Sequence, residues 1–415
     1  MVSKGHRLML ATLVLSTVVA SGAASTAGEA PVDTAAPVKI ALGGWVGTWQ
    51  TAPAAGVENT PNGYPNHSIR NVVHTSIGGE TARVRLSNAF GKAPLPIRAT
   101  VAVAENGPKA VAGTMRELTF GGSRTITIPA GAEAVSDPVR LTVPADGDLL
   151  VTTFTPEQSG PVTYHPLAMQ TSYFTRNGDF STEESGLSFT EKTNVWHYVA
   201  GVDVHAPKVR GAVVTLGDSI TDGAGSTAST NRRWPDYLAD RLLARPEPLR
   251  LGVLNSGISA NRVLLDGGAA RMGQNALARL DRDVLTSTGA RTVIMLEGIN
   301  DIQQEPHQTD ADQLVAGMRQ VVQQAHARGL RVLGGTITPF KGWRVYNETL
   351  EATRLKVNEI IRSGKVFDGV IDFDKAIRDP QDPLKMRPEY DSGDHLHPGD
   401  AGFKAMADAI DLALL

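Results

Sequence analysis

Cysteine is absent from all 415 residues. That excludes a cysteine nucleophile, thiolate metal sites and iron–sulfur clusters, and leaves packing as the source of stability. The formal charge is only −3, and no dense Lys/Arg run occurs, so nucleic-acid binding is not expected. The apolar run from Leu8 to Ala20 falls short of the roughly 20 residues a spanning helix needs. Lys4 and Arg7 precede it and small residues from Ser21 to Ala27 follow, the pattern of a secretory signal. Residues 1–27 are therefore expected to be a cleaved signal peptide on a secreted protein without a stable membrane anchor. Residues 28–41, rich in Ala, Pro and Thr, read as a flexible lead-in.

What remains is long enough for two domains. Over residues 42–206 the chain shows short β-type runs between turn residues, such as Ala82 to Leu86, Thr100 to Ala104, Thr125 to Ile128, Val139 to Val143 and Leu149 to Phe154. That spacing predicts an all-β, jelly-roll-like sandwich. Over residues 207–415 apolar runs alternate with helical stretches. The runs are Ala212 to Leu216, Leu251 to Leu254, Thr292 to Leu296, Val332 to Ile337 and Val366 to Phe373. The helices read as Trp234 to Ala244, Asp310 to Arg328, Glu348 to Ile361 and Ala401 to Leu414. This predicts a three-layer α/β/α, flavodoxin-like domain with strand order 2-1-3-4-5.

In such a sheet the segments after the strands converge on one edge. After the first strand comes Gly217-Asp218-Ser219-Ile220-Thr221-Asp222-Gly223, where Ser219 is either a nucleophile or, with Asp218, only a helix cap. The second segment holds Asn255, Ser256, Gly257, Ile258, Ser259, Ala260 and Asn261, and the third Glu297, Gly298, Ile299, Asn300 and Asp301. The last loop carries Asp394, His395, Leu396, His397 and Pro398. A hydroxyl, an imidazole, a carboxylate and candidate oxyanion donors are the parts of acyl transfer through a serine ester. His397 would take the Ser219 proton and Asp394 would orient the imidazole. The backbone N–H groups of Ser219 and Gly257 and the Asn300 amide would hold the oxyanion.

These four blocks resemble those of the SGNH hydrolases, the GDSL esterase/lipase family, over the C-terminal half. Carried over by position, the resemblance implies Ser219 as nucleophile, Gly257 and Asn300 in the oxyanion hole, and Asp394 with His397 in the DxxH block, with no cofactor and no metal. Some secreted actinobacterial-type members are similar in carrying an N-terminal β-domain, and that subgroup is associated with polysaccharide-linked and feruloyl esters as well as lipids. The expectation is thus a secreted, monomeric serine carboxylic-ester hydrolase acting on polysaccharide-linked feruloyl or acetyl esters. Lipase, phospholipase or short-chain acyl esterase activity is the alternative. A carbohydrate-binding or surface protein with secondary hydrolase activity is the reading of another class.

Competing readings bear on individual residues. His395 adjoins Asp394 and competes with His397 as base. Gly223, Gly225 and Ala228 spell a GxGxxA dinucleotide pattern, but begin too far past the strand and lack the acidic partner. The GxSxG elbow of the other large serine-esterase fold is absent. Asp222 and Asp301 read as braces for loop backbones, and Trp234 and Trp343 as core or pocket wall.

Overall fold

The computed structural model describes residues 43–56, 60 and 62–415. The expected signal peptide and lead-in lie outside the described residues. The N-terminal part is built of antiparallel strands: β1 (Trp45–Gln50), β2 (Ala54–Ala55), β3 (His67–Thr75), β4 (Gly79–Ser87), β5 (Leu95–Asn106), β6 (Val139–Val143), β7 (Gly147–Thr155), β8 (Thr163–His165), β9 (Ser172–Arg176), β10 (Trp196–His197) and β11 (Val199–His205). A five-stranded sheet runs β1-β11-β4-β6 with a short strand beside β4. An eight-stranded sheet has β9-β3-β7-β5 at its centre, and a small third sheet runs β10-β8-β2. Alternation along β4 explains the layering. Ala82, Val84 and Leu86 are buried while Arg83 and Arg85, between them, are only partly so, the period of two that puts one face on a core.

The chain then alternates. Strands β12 (Gly211–Gly217), β13 (Leu251–Gly257), β14 (Ala290–Leu296), β15 (Arg331–Gly335) and β16 (Gly369–Ile371) form one parallel sheet. Its order is β13-β12-β14-β15-β16, the 2-1-3-4-5 arrangement expected from the apolar runs. All seven residues of β12 are buried, as a central strand covered on both faces requires. The helices are α1 (Ser219–Asp222), α2 (Trp234–Leu243), α3 (Ala276–Leu280), α4 (Ile299–Gln303), α5 (Ala311–His326), α6 (Glu348–Arg362), α7 (Phe373–Ile377) and α8 (Asp400–Asp408).

Two expectations are corrected. The run Val366 to Phe373 keeps only Gly369–Ile371 as strand; it stops there because Asp372 caps a helix instead, its side chain accepting the Lys375 N–H at 3.1 Å, and Phe373 becomes the first residue of α7. The last helix stops at Asp408, and only a 3₁₀ turn, Leu412–Leu414, follows.

The two parts share one apolar cluster, which takes in Val46, Trp49 and Val204 from the strand-rich part and Val214, Leu216 and Leu254 from the parallel sheet. Polar contacts cross the same seam. Gly47 N–H donates to Thr288 O at 2.9 Å, and Gln50 Nε2 donates to Ser256 Oγ and Asp283 O, each at 2.7 Å. Val253 N–H donates to Ser76 Oγ at 2.9 Å. The backbones pack so closely that a Cβ on Gly252 would lie 2.2 Å from Gly47 O.

Candidate active site

The carboxyl edge of the parallel sheet gathers the singled-out residues. β12 ends at Gly217, and Asp218 caps α1 by accepting the Ile220 N–H at 2.9 Å. The cap and nucleophile readings are therefore not exclusive: Asp218 caps, and Ser219 is free to react. Ser219 Oγ lies 2.8 Å from His397 Nε2. His397 Nδ1 is 2.6 Å from Asp394 Oδ2, while Asp394 Oδ1 accepts the backbone N–H groups of Leu396 and His397 at 2.9 and 2.8 Å. One loop turn thus aims Asp394 at the ring and holds the loop that carries the ring. Burial acts to raise the Asp394 pKa, but the hydrogen bonds from the His397 ring and the two N–H groups outweigh it and hold the carboxyl well below its usual range. It stays ionised and faces an imidazole that can gain a proton.

His395 is not the partner of that carboxylate. Its Nδ1 lies 2.6 Å from Asp391 Oδ2, its backbone is left-handed at φ 67°, and its side chain is more than half exposed.

Asn300 stands on α4, which starts after Gly298 turns the chain at φ 120°. Its Oδ1 accepts Gln303 Nε2 at 2.8 Å and Gln304 Nε2 at 2.9 Å. Those two donors decide which end of the amide is oxygen, and leave the buried Nδ2 with no hydrogen-bond partner among the described residues. A buried amide without an acceptor costs roughly 1–3 kcal/mol, so it marks a place where an acceptor is brought from outside.

Gly257 departs from the expectation. Its N–H donates to Asn255 Oδ1 at 2.8 Å, and the other end of that amide donates to Thr221 O at 2.8 Å. Its own reason for being glycine is close approach: a Cβ would fall 2.4 Å from Asp222 N, in the nucleophile turn. The free donor in this loop belongs to Ala260. That residue sits at φ 67°, and its N–H meets no acceptor among the described residues. Gln304 Nε2 donates to Ala260 O at 3.1 Å as well as to Asn300 Oδ1, which ties the two donor-bearing segments together. The Ser219 N–H, at the first position of α1, has no acceptor within its helix.

Asp222 and Asp301 brace this loop, as their place in the sequence suggested. Asp222 Oδ2 accepts Ser259 N–H at 2.8 Å and Ser259 Oγ–H at 2.7 Å. Asp301 accepts the N–H groups of Val263 and Leu264 at 2.8 and 3.0 Å. Beneath them burial pushes Asp218 up to about 7, and burial together with the Asp218 charge pushes Glu297 well above the usual carboxylate range despite Arg279. Trp234 is wholly buried core. Trp343 is only partly buried, stands edge-on to His397 with ring centroids 6.3 Å apart, and donates its indole N–H to Gln303 Oε1 at 3.0 Å.

Residues 215–405 match the GDSL-like lipase/acylhydrolase family. The chain carries a domain of that family. Solved structures similar to this GDSL-type domain include a GDSL-like lipase from Bacteroides thetaiotaomicron (17% identity, 49% of this chain and 87% of that one, TM-score 0.36). An aryl esterase from M. smegmatis (19%, 47% and 94%, 0.38) and a carbohydrate acetylesterase from Sinorhizobium meliloti (18%, 48% and 95%, 0.36) also match. No curated protein matches the chain.

Sequence reasoning overlooked Ala260, Gln303, Gln304 and His165. An alanine in a left-handed conformation leaves no mark in the sequence. His165 belongs to β8, 57 positions from the Asp222 carboxylate it faces at 2.8 Å.

Proposed function

We propose that this carboxylic-ester hydrolase works through an acyl-enzyme on Ser219. The observation that carries the reading is the unbroken line Ser219–His397–Asp394 beside the unpartnered Asn300 Nδ2. Ser219 Oγ attacks the ester carbonyl carbon as its proton passes to His397 Nε2, and the carbonyl π pair moves onto oxygen. That oxyanion is met by Asn300 Nδ2–H and the backbone N–H groups of Ser219 and Ala260. Collapse breaks the bond to the alkoxy oxygen, which leaves with the proton from His397. Water, deprotonated by His397, then repeats the sequence on the acyl-serine and returns Ser219 and the acid.

The substrates in this reading are feruloyl or acetyl esters on polysaccharide. The partly buried Trp343 beside His397 supports it by placing an aromatic side chain at the reacting groups. The Lys4, Arg7 and Leu8 to Ala20 pattern supports action outside the cell.

Ser219→Ala is expected to abolish ester cleavage while the thermal melt stays that of the parent; normal turnover in the variant would defeat the mechanism. A panel of methyl ferulate, acetylated xylan, p-nitrophenyl esters of increasing chain length and phospholipid tests the substrate. Activity confined to long-chain esters or phospholipid would replace the polysaccharide reading with the lipase one.

A further inference from the structure

A buried contact joins the strand-rich part to the turn that carries Ser219. His165, the last residue of β8, is buried. Its Nδ1 lies 2.8 Å from Ala52 O, and its Nε2 lies 2.8 Å from Asp222 Oδ1 and 3.1 Å from Leu167 O. All three neighbours are acceptors, so both ring nitrogens are satisfied only when each carries a proton. Burial opposes the charge, but the Asp222 carboxylate and the two carbonyls outweigh it and raise the pKa above the ordinary histidine value. The Asp222 side chain is as buried as the ring, 3% exposed against 2%.

Asp222 looks two ways. One oxygen takes His165, and the other takes both the N–H and the hydroxyl of Ser259. The next residue is Ala260, whose left-handed conformation costs an L-residue roughly 1–2 kcal/mol and persists only where the surroundings impose it. Asp222 also closes α1, the turn that begins with Ser219. Nucleophile turn and donor loop are thus fastened to the same carboxylate, and that carboxylate is fastened to the strand-rich part.

We propose that His165 is a positioning residue for ester hydrolysis: through Asp222 and Ser259 it sets the Ala260 N–H where the oxyanion forms. The proposal rests on the acyl-transfer reading above. Its physical basis is that a preorganised donor contributes to rate only while it is held in place. Removing one donor costs about a hundred- to a thousandfold, and a displacement of about 1 Å can cost about a hundredfold. Without His165, one buried oxygen of Asp222 loses its charged hydrogen-bond partner, which leaves the Arg233 charge acting on the carboxylate and frees it to reorganise.

The test uses the full chain with His165→Gln and Asp222→Ala, which cut the same path from opposite sides. Reactive serine is counted by titration with an organophosphate, so that misfolded protein does not enter the rate. Turnover of p-nitrophenyl acetate per titrated serine is expected to fall about 10- to 100-fold in each variant, with KM within about threefold. Affinity for an aryl boronic acid, which forms a tetrahedral adduct on Ser219, should weaken in parallel. The double variant should lose no more than the worse single one. Turnover per titrated serine within twofold of the parent, undiminished boronate affinity, or losses that multiply would overturn the proposal. Survival of activity in Ser219→Ala would defeat the underlying acyl-enzyme instead, so the two failures are distinguishable.

Discussion

Asn300 is the residue whose side chain is hardest to account for without a reaction. Its oxygen is held by two glutamine amides while its buried nitrogen holds nothing. A structural asparagine in that position would be expected to use both ends. Asn300→Ala is therefore expected to lower kcat about a hundred- to a thousandfold with KM little changed, because the donor is needed only when the carbonyl oxygen becomes negative. Steady-state kinetics on p-nitrophenyl acetate checks this, and an equal loss spread into KM would assign Asn300 to substrate binding. Asn300, Ser219, Asp394 and His397 were legible because each stands at a fixed offset from a strand or helix end. Gly257 was misread because a glycine beside a catalytic turn has two physical uses, presenting an N–H or allowing backbone contact, and only the distance to Asp222 N separates them. Ala260 was illegible for the opposite reason: its side chain says nothing of its φ.

At the scale of elements, β12, β14 and the helices that follow them deliver Asp218, Glu297 and Asp301 beneath the site. The apolar runs showed where these strands lie, yet not that three acids would be buried at their ends, since burial of a carboxylate depends on elements far away in sequence. Among the described residues neither carboxylate oxygen of Glu297 has a side-chain hydrogen-bond partner, and Arg279 Nη2 stands 3.5 Å off. Desolvation, then the Asp218 charge, raise its pKa. A carboxyl whose folded pKa is raised binds its proton more tightly in the native state. Its stabilising contribution is full below the unfolded pKa and is lost as pH rises through the folded one. Glu297→Gln, which keeps the shape and cannot ionise, should melt higher than the parent at pH 8, with the gap narrowing toward pH 4.5. A pH-independent gap in melting temperature would show that Glu297 does not carry this buried charge.

Across the whole molecule, the strand-rich part and the parallel sheet form one compact unit. Contacts such as Gln50 to Ser256 or His165 to Asp222 join residues so far apart in sequence that no local pattern announces them. Two buried histidines of the strand-rich part contribute to the stability of this unit with opposite pH dependence. His197 has no charged partner among the described residues, and desolvation lowers its pKa from 6.5 to about 4. The unfolded chain therefore binds one more proton over that window, and stability falls as pH drops from 6.5 toward 4, by about 3 kcal/mol for a shift of this size. His165 has the reverse sign. Although burial opposes its charge, Asp222 and the two carbonyls raise its pKa. Its contribution is complete below the unfolded histidine value and is lost as pH rises through the folded one. Urea unfolding from pH 4 to 9 should then show a stability difference between His197→Phe and the parent that changes with pH only on the acid side, below about 6.5. His165→Gln should flatten the alkaline side alone, where the parent loses the charge in its His165–Asp222 contact. If His165→Gln left the alkaline slope untouched, the charge on His165 could not be what joins the strand-rich part to Asp222.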